Sequence, residues 1–295
     1  MTNAPTLELR DAAVRRAGAA LTAALSCSSA AARVGLLGDW SALQHALTGE
    51  AQVESGSARV LGHELESALA DGVVGLALCD PPLPAAFTVK EYLEQAARLS
   101  HGSAARAARD TKHALDRFGL QPLASRKLTQ TTLFQQRAVG IALASLTSPP
   151  VIWLESPLRG LDAPAADYVA RLCVEAGTSS RLILATSWPS SPSAERSLLE
   201  TCGELFLLER GLLVSTGTPG QVLAASGRYL LSLAGENGAA YESALREAGC
   251  VVTARDRLGD YVIELPPNES CDVLLDTALD QRMIVLELEP LRSAT

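Results

Sequence analysis

Two short segments carry the residue types from which phosphate or metal chemistry is built. Val151-Ile152-Trp153-Leu154 runs four apolar residues into Glu155-Ser156-Pro157, which puts a carboxylate and a hydroxyl at the mouth of a buried strand. Gly38-Asp39-Trp40-Ser41 leads the apolar run Val34–Leu37 into a helix, an arrangement that aims backbone N–H groups and a positive dipole end at an anion. A phosphate loop of the form GxxxxGK[ST] also needs a lysine to reach the β- and γ-oxygens. None stands there, because the first lysine of the chain is Lys90. Asp39 instead places negative charge where the anion would sit. Glu155 keeps a carboxylate, on its own a weak metal ligand, while Ser156 has neither the charge nor the pKa of a general base.

The helix after Gly38 has a candidate seal of its own. Ser41 followed three residues later by Gln44 forms a capping-box pattern that engages the free N–H groups of the first turn. Trp40 has two readings, a filler of apolar space or an exposed anchor for a partner, and the cost of exposing an indole favours the filler. Cys27, Cys79, Cys173, Cys202, Cys250 and Cys271 are scattered singly, with no CxxC and no histidine at ligand spacing, so reduced, packed thiols are expected and no metal site is. Cys79 reads as a small buried residue, since no cationic neighbour in the sequence lowers its pKa. His45, His63, His101 and His113 all precede the second half of the chain, and His45 and His63 read as solvated surface residues.

The elements that must position these residues follow from apolar patterning. Val34–Gly38, Val73–Leu78, Val151–Leu154 and Leu182–Ala185 read as short buried strands. Ser41–Leu47, Thr88–Ser100, Asp110–Phe118 and Gln135–Leu146 read as helices, with Thr88 the N-cap of its helix and Glu91 three residues on. Strands alternating with helices predict an α/β sheet that is mostly parallel. Beyond residue 227 the order changes to strand, helix, strand, strand, helix, strand (Tyr229–Leu233, Ala239–Ala248, Val251–Ala254, Tyr261–Leu265, Cys271–Leu279 and Ile284–Leu288), the split-βαβ or ferredoxin-like arrangement.

Composition narrows the function class. With 47% hydrophobic and 20% charged residues in 295, the chain is long and apolar enough for one full domain and a small one, not for a disordered protein. A net charge of −8 argues against nucleic acid as a partner, because backbone binders present basic faces. No apolar run is long enough to span a bilayer and Met1–Arg10 lacks the pattern of a signal peptide. The expected location is therefore cytoplasmic, with no direct membrane insertion.

Taken in order, the segments of the first 222 or so residues resemble an ABC transporter nucleotide-binding domain with degenerate catalytic motifs. Val34–Gly49 is similar to the phosphate-loop region, about one helical turn short, and Ser55–Gly62 to the strand that follows it. Cys79 stands at the Q-loop glutamine, and Asp80–Val89 at the segment that meets the membrane subunit. Thr131–Ile141 is similar to the signature motif and its helix, with Thr132, Leu133, Phe134 and Gln135 in place of most of LSGGQ. Val151–Asp162 is similar to Walker B and the D-loop, whose frame Pro157, Gly160, Leu161 and Asp162 is kept. Glu155 and Ser156 stand at the Mg²⁺ carboxylate and the catalytic glutamate, and Trp188 lies near the switch histidine.

The resemblance implies an ABC-type P-loop NTPase-like α/β domain over 1–226, with a helical subdomain at about 88–146, and a ferredoxin-like α+β domain over 227–295 of the kind found on ATPases of ABC-2 exporters. It implies no catalytic residues and no required cofactor, with room only for weak ATP/Mg²⁺ binding through Glu155 and leftover backbone donors. The chain is then expected to be inactive alone. It would be a structural or regulatory subunit held peripherally at the inner membrane by a multi-span membrane subunit, an intact ABC ATPase subunit, or both. Two alternatives stay open: half of a heterodimeric ATPase, with Thr132 and Gln135 serving the partner's ATP, and a soluble protein-binding scaffold.

Overall fold

The computed structural model describes residues 4–16, 19–20, 22, 24–187, 189, 193–209, 211–224, 228–255, 260–266 and 271–290. Strand β1 (Leu7–Arg16) buries Leu7, Leu9, Ala12 and Val14. It pairs antiparallel with β2 (Ala19–Ala20) and β3 (Leu25–Ser29). After β4 (Arg33–Gly38) and helix α1 (Ser41–Leu47), strand β5 (Gln52–Val60) returns antiparallel along β1, and the short β6 (His63–Glu64) and helix α2 (Leu65–Ala68) follow. The result is a five-stranded antiparallel sheet that the apolar patterning did not predict. At Asp11 the β1 backbone takes φ +48°, the pairing slips, and Gly56 lies so close opposite that a Cβ there would stand 2.1 Å from the Arg10 carbonyl oxygen. A bulge of this kind shifts the side-chain alternation and hides the strand from a period-two reading.

The second sheet holds the site. Strand β7 (Val74–Ala77) is followed by three helices, α3 (Val89–His101), α4 (Ala104–Arg117) and α5 (Leu133–Ser145). Then come β8 (Val151–Glu155), α6 (Ala163–Ala176), β9 (Arg181–Thr186), α7 (Ala194–Glu200), β10 (Glu204–Glu209), β11 (Leu212–Gly217) and α8 (Pro219–Ala224). The order is β11-β10-β4-β9-β8-β7, parallel throughout except for β11. Both faces are covered, so these strands read as unbroken apolar runs. Val34, Leu36, Trp153 and Ile183 pack towards α1 and β1, while Leu37, Ile152, Leu154 and Leu184 pack with α5 and α6 residues such as Ile141 and Val169. Thr88 caps α3 in a capping box with Glu91, as its spacing predicts. The parallel register brings Gly38, Cys79, Glu155 and Thr186 out at one edge of the sheet, where ligands of such folds bind.

The remaining elements are β12 (Arg228–Ala234), α9 (Gly238–Glu247), β13 (Val251–Arg255), β14 (Asp260–Glu264), α10 (Asp272–Asp280) and β15 (Ile284–Pro290). They form an antiparallel sheet in the order β13-β14-β12-β15, with the β-α-β-β-α-β succession of a ferredoxin-like unit. Leu231, Leu233, Tyr261 and Ile263 face Tyr241, Leu245, Leu274 and Ala278 of the two helices. On the other face Leu230 and Val262 join the core that also holds Val214, Val222 and Leu223. The boundary expected at residue 226 falls on residues 225–227, outside the described ones.

Candidate functional site at the strand edge

The turn between β4 and α1 is closed on itself. Gly38 has φ +96°, and a Cβ on it would stand 1.8 Å from the Leu208 carbonyl oxygen, so only glycine fits. The Trp40 side chain is buried among the residues that pack α1 on β1, and its Nε1–H donates to the Leu37 carbonyl at 2.8 Å. The exposed-anchor reading of Trp40 is thereby overturned. So is the Ser41–Gln44 capping box: Trp40 is the N-cap, Ser41 is the first helical residue, and Asp39 Oδ1 accepts the Ser41 N–H at 3.1 Å. The indole anchors Trp40 and fixes the helix start one residue early, which leaves the seal to the Asp39 carboxylate.

At the ends of β7 and β8 the polar groups meet one another. Glu155 Oε2 accepts the Cys79 N–H at 2.9 Å. Ser156 has φ +39°, a left-handed conformation that costs a non-glycine residue of order 1–3 kcal/mol. Its N–H still donates to Ala185 at 2.7 Å, which extends the β8–β9 ladder by one bond. Arg137 arrives from α5, fully enclosed. Its Nη2 lies 3.1 Å from Cys79 Sγ, 3.4 Å from Asp80 Oδ1 and 3.4 Å from the Arg159 carbonyl. Arg159 Nη2 reaches Asp80 Oδ2 at 2.8 Å.

The expectation that Cys79 has no cationic neighbour is therefore corrected. Its thiol pKa is nonetheless raised, because burial outweighs the pull of Arg137 and Arg159. Arg137 was not singled out from the sequence. The signal was present: an arginine directly before the apolar run Ala138–Leu146 on a helix bound for the core must find partners there.

Thr132 and Gln135 are engaged with each other at the start of α5, Gln135 Oε1 accepting the Thr132 N–H at 3.0 Å. Phe134 packs edge-to-face on Tyr168 of α6, ring centroids 5.7 Å apart. Leu133 is exposed and lies against Gly160, which has φ +78°. The Leu161 N–H donates to Leu158, and Asp162 caps α6 by accepting the Ala165 N–H at 3.0 Å. Trp188 lies outside the described residues. Two residues before it, the buried Thr186 hydroxyl donates to Glu195 of α7, a carboxyl that sequence reasoning passed over. Burial raises the Glu195 pKa, against the smaller opposing effect of the Thr186 hydroxyl. Among the described residues no His, Cys, Asp and Glu group is arranged to hold a metal, and no helix is long and apolar enough to cross a membrane.

The fold is that of ABC ATPase nucleotide-binding domains. CbiO1 from Clostridium perfringens, part of the ABC transporter complex cbiONQ, superimposes with a TM-score of 0.64 at 18% identity, over 75% of this chain and 91% of that one. The ATP-binding subunit of another ABC transporter gives 0.61 at 19% identity, over 74% and 91%.

In sequence the chain is similar to ABC transporter ATP-binding proteins. It is 26% identical over 186 residues to the daunorubicin/doxorubicin resistance ATP-binding protein DrrA of Streptomyces peucetius, covering 61% of this chain and 54% of that protein. It is 26% identical over 176 residues to the phospholipid-transporting ATPase ABCA7 of Homo sapiens, covering 59% and 8%. The chain thus spans about half the length of the first relative and a small part of the second. No family model matches it.

Proposed function

We propose that this chain is an ABC-type subunit that does not hydrolyse ATP and acts as a structural or regulatory partner in an ABC-2-like membrane complex, cytoplasmic and held at the membrane by that partner. One observation carries the reading: Glu155, the carboxylate at the end of β8, is directed onto the Cys79 N–H beside the Arg137–Asp80–Arg159 cluster. The residues present do not fit a Mg²⁺-nucleotide. Asp39 sits on the first amide of α1, Trp40 is buried in the core, and no lysine precedes Lys90. Ser156 offers no base. Thr132 and Gln135 bond to each other, which argues against their serving a partner's ATP. Relatives that are ATP-binding proteins of transporters support the membrane setting.

The test is purification of the tagged chain from detergent-solubilised cells, with every partner identified and ATP turnover of the purified chain measured in parallel. A multi-span membrane subunit, and no turnover above that of Glu155→Gln, is the expected result. Turnover abolished by Glu155→Gln would refute the catalytic half of the proposal. Recovery of soluble proteins alone would refute the membrane half.

A further inference from the structure

We propose that the Asp80–Arg159 ion pair is a latch, which holds residues 159–161 closed over Leu133 and releases them when outside ions compete for the pair. The pair belongs to the cluster on which the reading above rests, and the latch deepens that reading by giving the cluster a moving part. ATP turnover has no role in it, so its test and the turnover test fail separately.

The cluster divides into a fixed base and an exposed outer half. The Arg137 side chain is only 4% exposed, and its Nη2 lies 3.4 Å from Asp80 Oδ1, so Asp80 is gripped from within by an enclosed cation. At the mouth of β8 the Glu155 carboxylate accepts the Cys79 N–H, and the Ser156 N–H donates to Ala185. These bonds tie the base to the end of β7 and to β9. Pro157 and Leu158 are buried, whereas Arg159 and Gly160 stand exposed, Gly160 with φ +78°. Backbone and side chain together hold this outer half. The Arg159 N–H donates to Ser156 at 3.1 Å, the Leu161 N–H donates to Leu158 at 3.2 Å, and the Arg159 carbonyl accepts from Arg137 at 3.4 Å. Arg159 Nη2 on Asp80 Oδ2, at 2.8 Å, is the shortest of these contacts.

Both partners of that pair face water, Arg159 at 59% and Asp80 at 72% exposure. An exposed ion pair contributes little and is screened by salt, so it biases a local opening without deciding the global fold. Its loss strands no charge, because Arg159 returns to water and Asp80 stays with Arg137. Glu155 attracts Arg159 as well, but its carboxylate is engaged by Cys79. The consequence reaches an apolar side chain. Leu133, at the start of α5, is 40% exposed, and its Cδ2 lies 3.7 Å from where a Cβ on Gly160 would stand. When residues 159–161 lift, Leu133 loses that cover, so the ion pair controls how much apolar surface this corner presents.

The test is hydrogen exchange of the isotope-labelled full chain by NMR, reading the Arg159 and Leu161 amides against those of Trp153 and Leu154 in β8. Raising NaCl from about 0.05 M to about 1 M should speed exchange at Arg159 and Leu161 roughly two- to fivefold over the β8 amides, the span an exposed pair sets. Arg159→Gln should exchange that fast already at low salt and show no salt response, and Arg159→Lys, which keeps the charge, should restore the response. Asp80→Asn, which leaves Arg137 an acceptor oxygen, should behave as Arg159→Gln does. The Leu133 methyl signals should shift in step with the two amides. A wild type that ignores salt, a salt response that survives in Arg159→Gln, or equal acceleration of the β8 amides would overturn the latch. Leu133 methyl signals that stay fixed while the amides accelerate would overturn the uncovering of Leu133.

Discussion

Glu155 and Cys79 are joined side chain to backbone: Glu155 Oε2 accepts the Cys79 N–H at 2.9 Å and ties the mouth of β8 to the chain leaving β7. The contact gives the acid at the strand end a structural partner within the chain. Glu155→Ala is expected to lower stability by roughly 1.5–3 kcal/mol, the range for a hydrogen bond to a charged group. Urea denaturation measures this, and a loss within error of zero would mean that the carboxylate is free for another ligand.

Arg137 predicts an asymmetry. Its guanidinium is enclosed, its Nε has no partner, and its counter-ion Asp80 is 72% exposed. Desolvation of the cation is thus only partly offset. Arg137→Met should be nearly neutral, or stabilising by about 1 kcal/mol. Asp80→Ala strands the buried cation and should cost on the order of 2 kcal/mol. Equal losses in the two variants, in the same denaturation experiment, would contradict this account.

How far these features were legible in the sequence depends on how local their causes are. Val151–Glu155 and Arg181–Thr186 could be read because strands covered on both faces are continuous apolar runs. Patterning missed β1, because the bulge at Asp11 breaks the alternation, and the strand expected over Ser55–Gly62 came from the family resemblance, since β5 carries Glu54, Ser55 and Gly56 on an exposed stretch. Thr88 with Glu91 was legible because a capping box is complete within four residues. Ser41 with Gln44 has the same pattern and failed, because burial of Trp40 set the helix start instead. The residue types at the strand mouths were plain, but the partners of Arg137 and Glu195 come from distant elements and only the fold brings them together.

Trp40 should be structural at any nucleotide concentration. Trp40→Ala removes a buried indole from the packing of α1 on β1 and is expected to cost about 3–5 kcal/mol. Saturating Mg-ATP should shift the melting temperature of neither variant nor wild type, where a ligand at a hundred times its Kd adds about 2.7 kcal/mol. A ligand-dependent shift in the wild type that Trp40→Ala abolishes would reassign this side chain to nucleotide binding.

Glu195 gives the pH dependence a sign. Burial raises its carboxyl above the ordinary value of 4.5, so the folded chain holds the proton over a range in which the unfolded chain has released it. In that window the unfolded state binds fewer protons, and stability falls as pH rises. The contribution of Glu195 is therefore complete below about pH 4.5 and is lost as pH rises through the folded value. Glu195→Gln keeps the hydrogen-bonding shape beside Thr186 without a titrating group, so it should flatten this part of the profile and be the more stable chain at pH 8. Chemical denaturation of both proteins between pH 4 and 8 reads the difference. A variant that loses stability equally at every pH would show that the Thr186 contact, not the proton, sets the contribution of this residue.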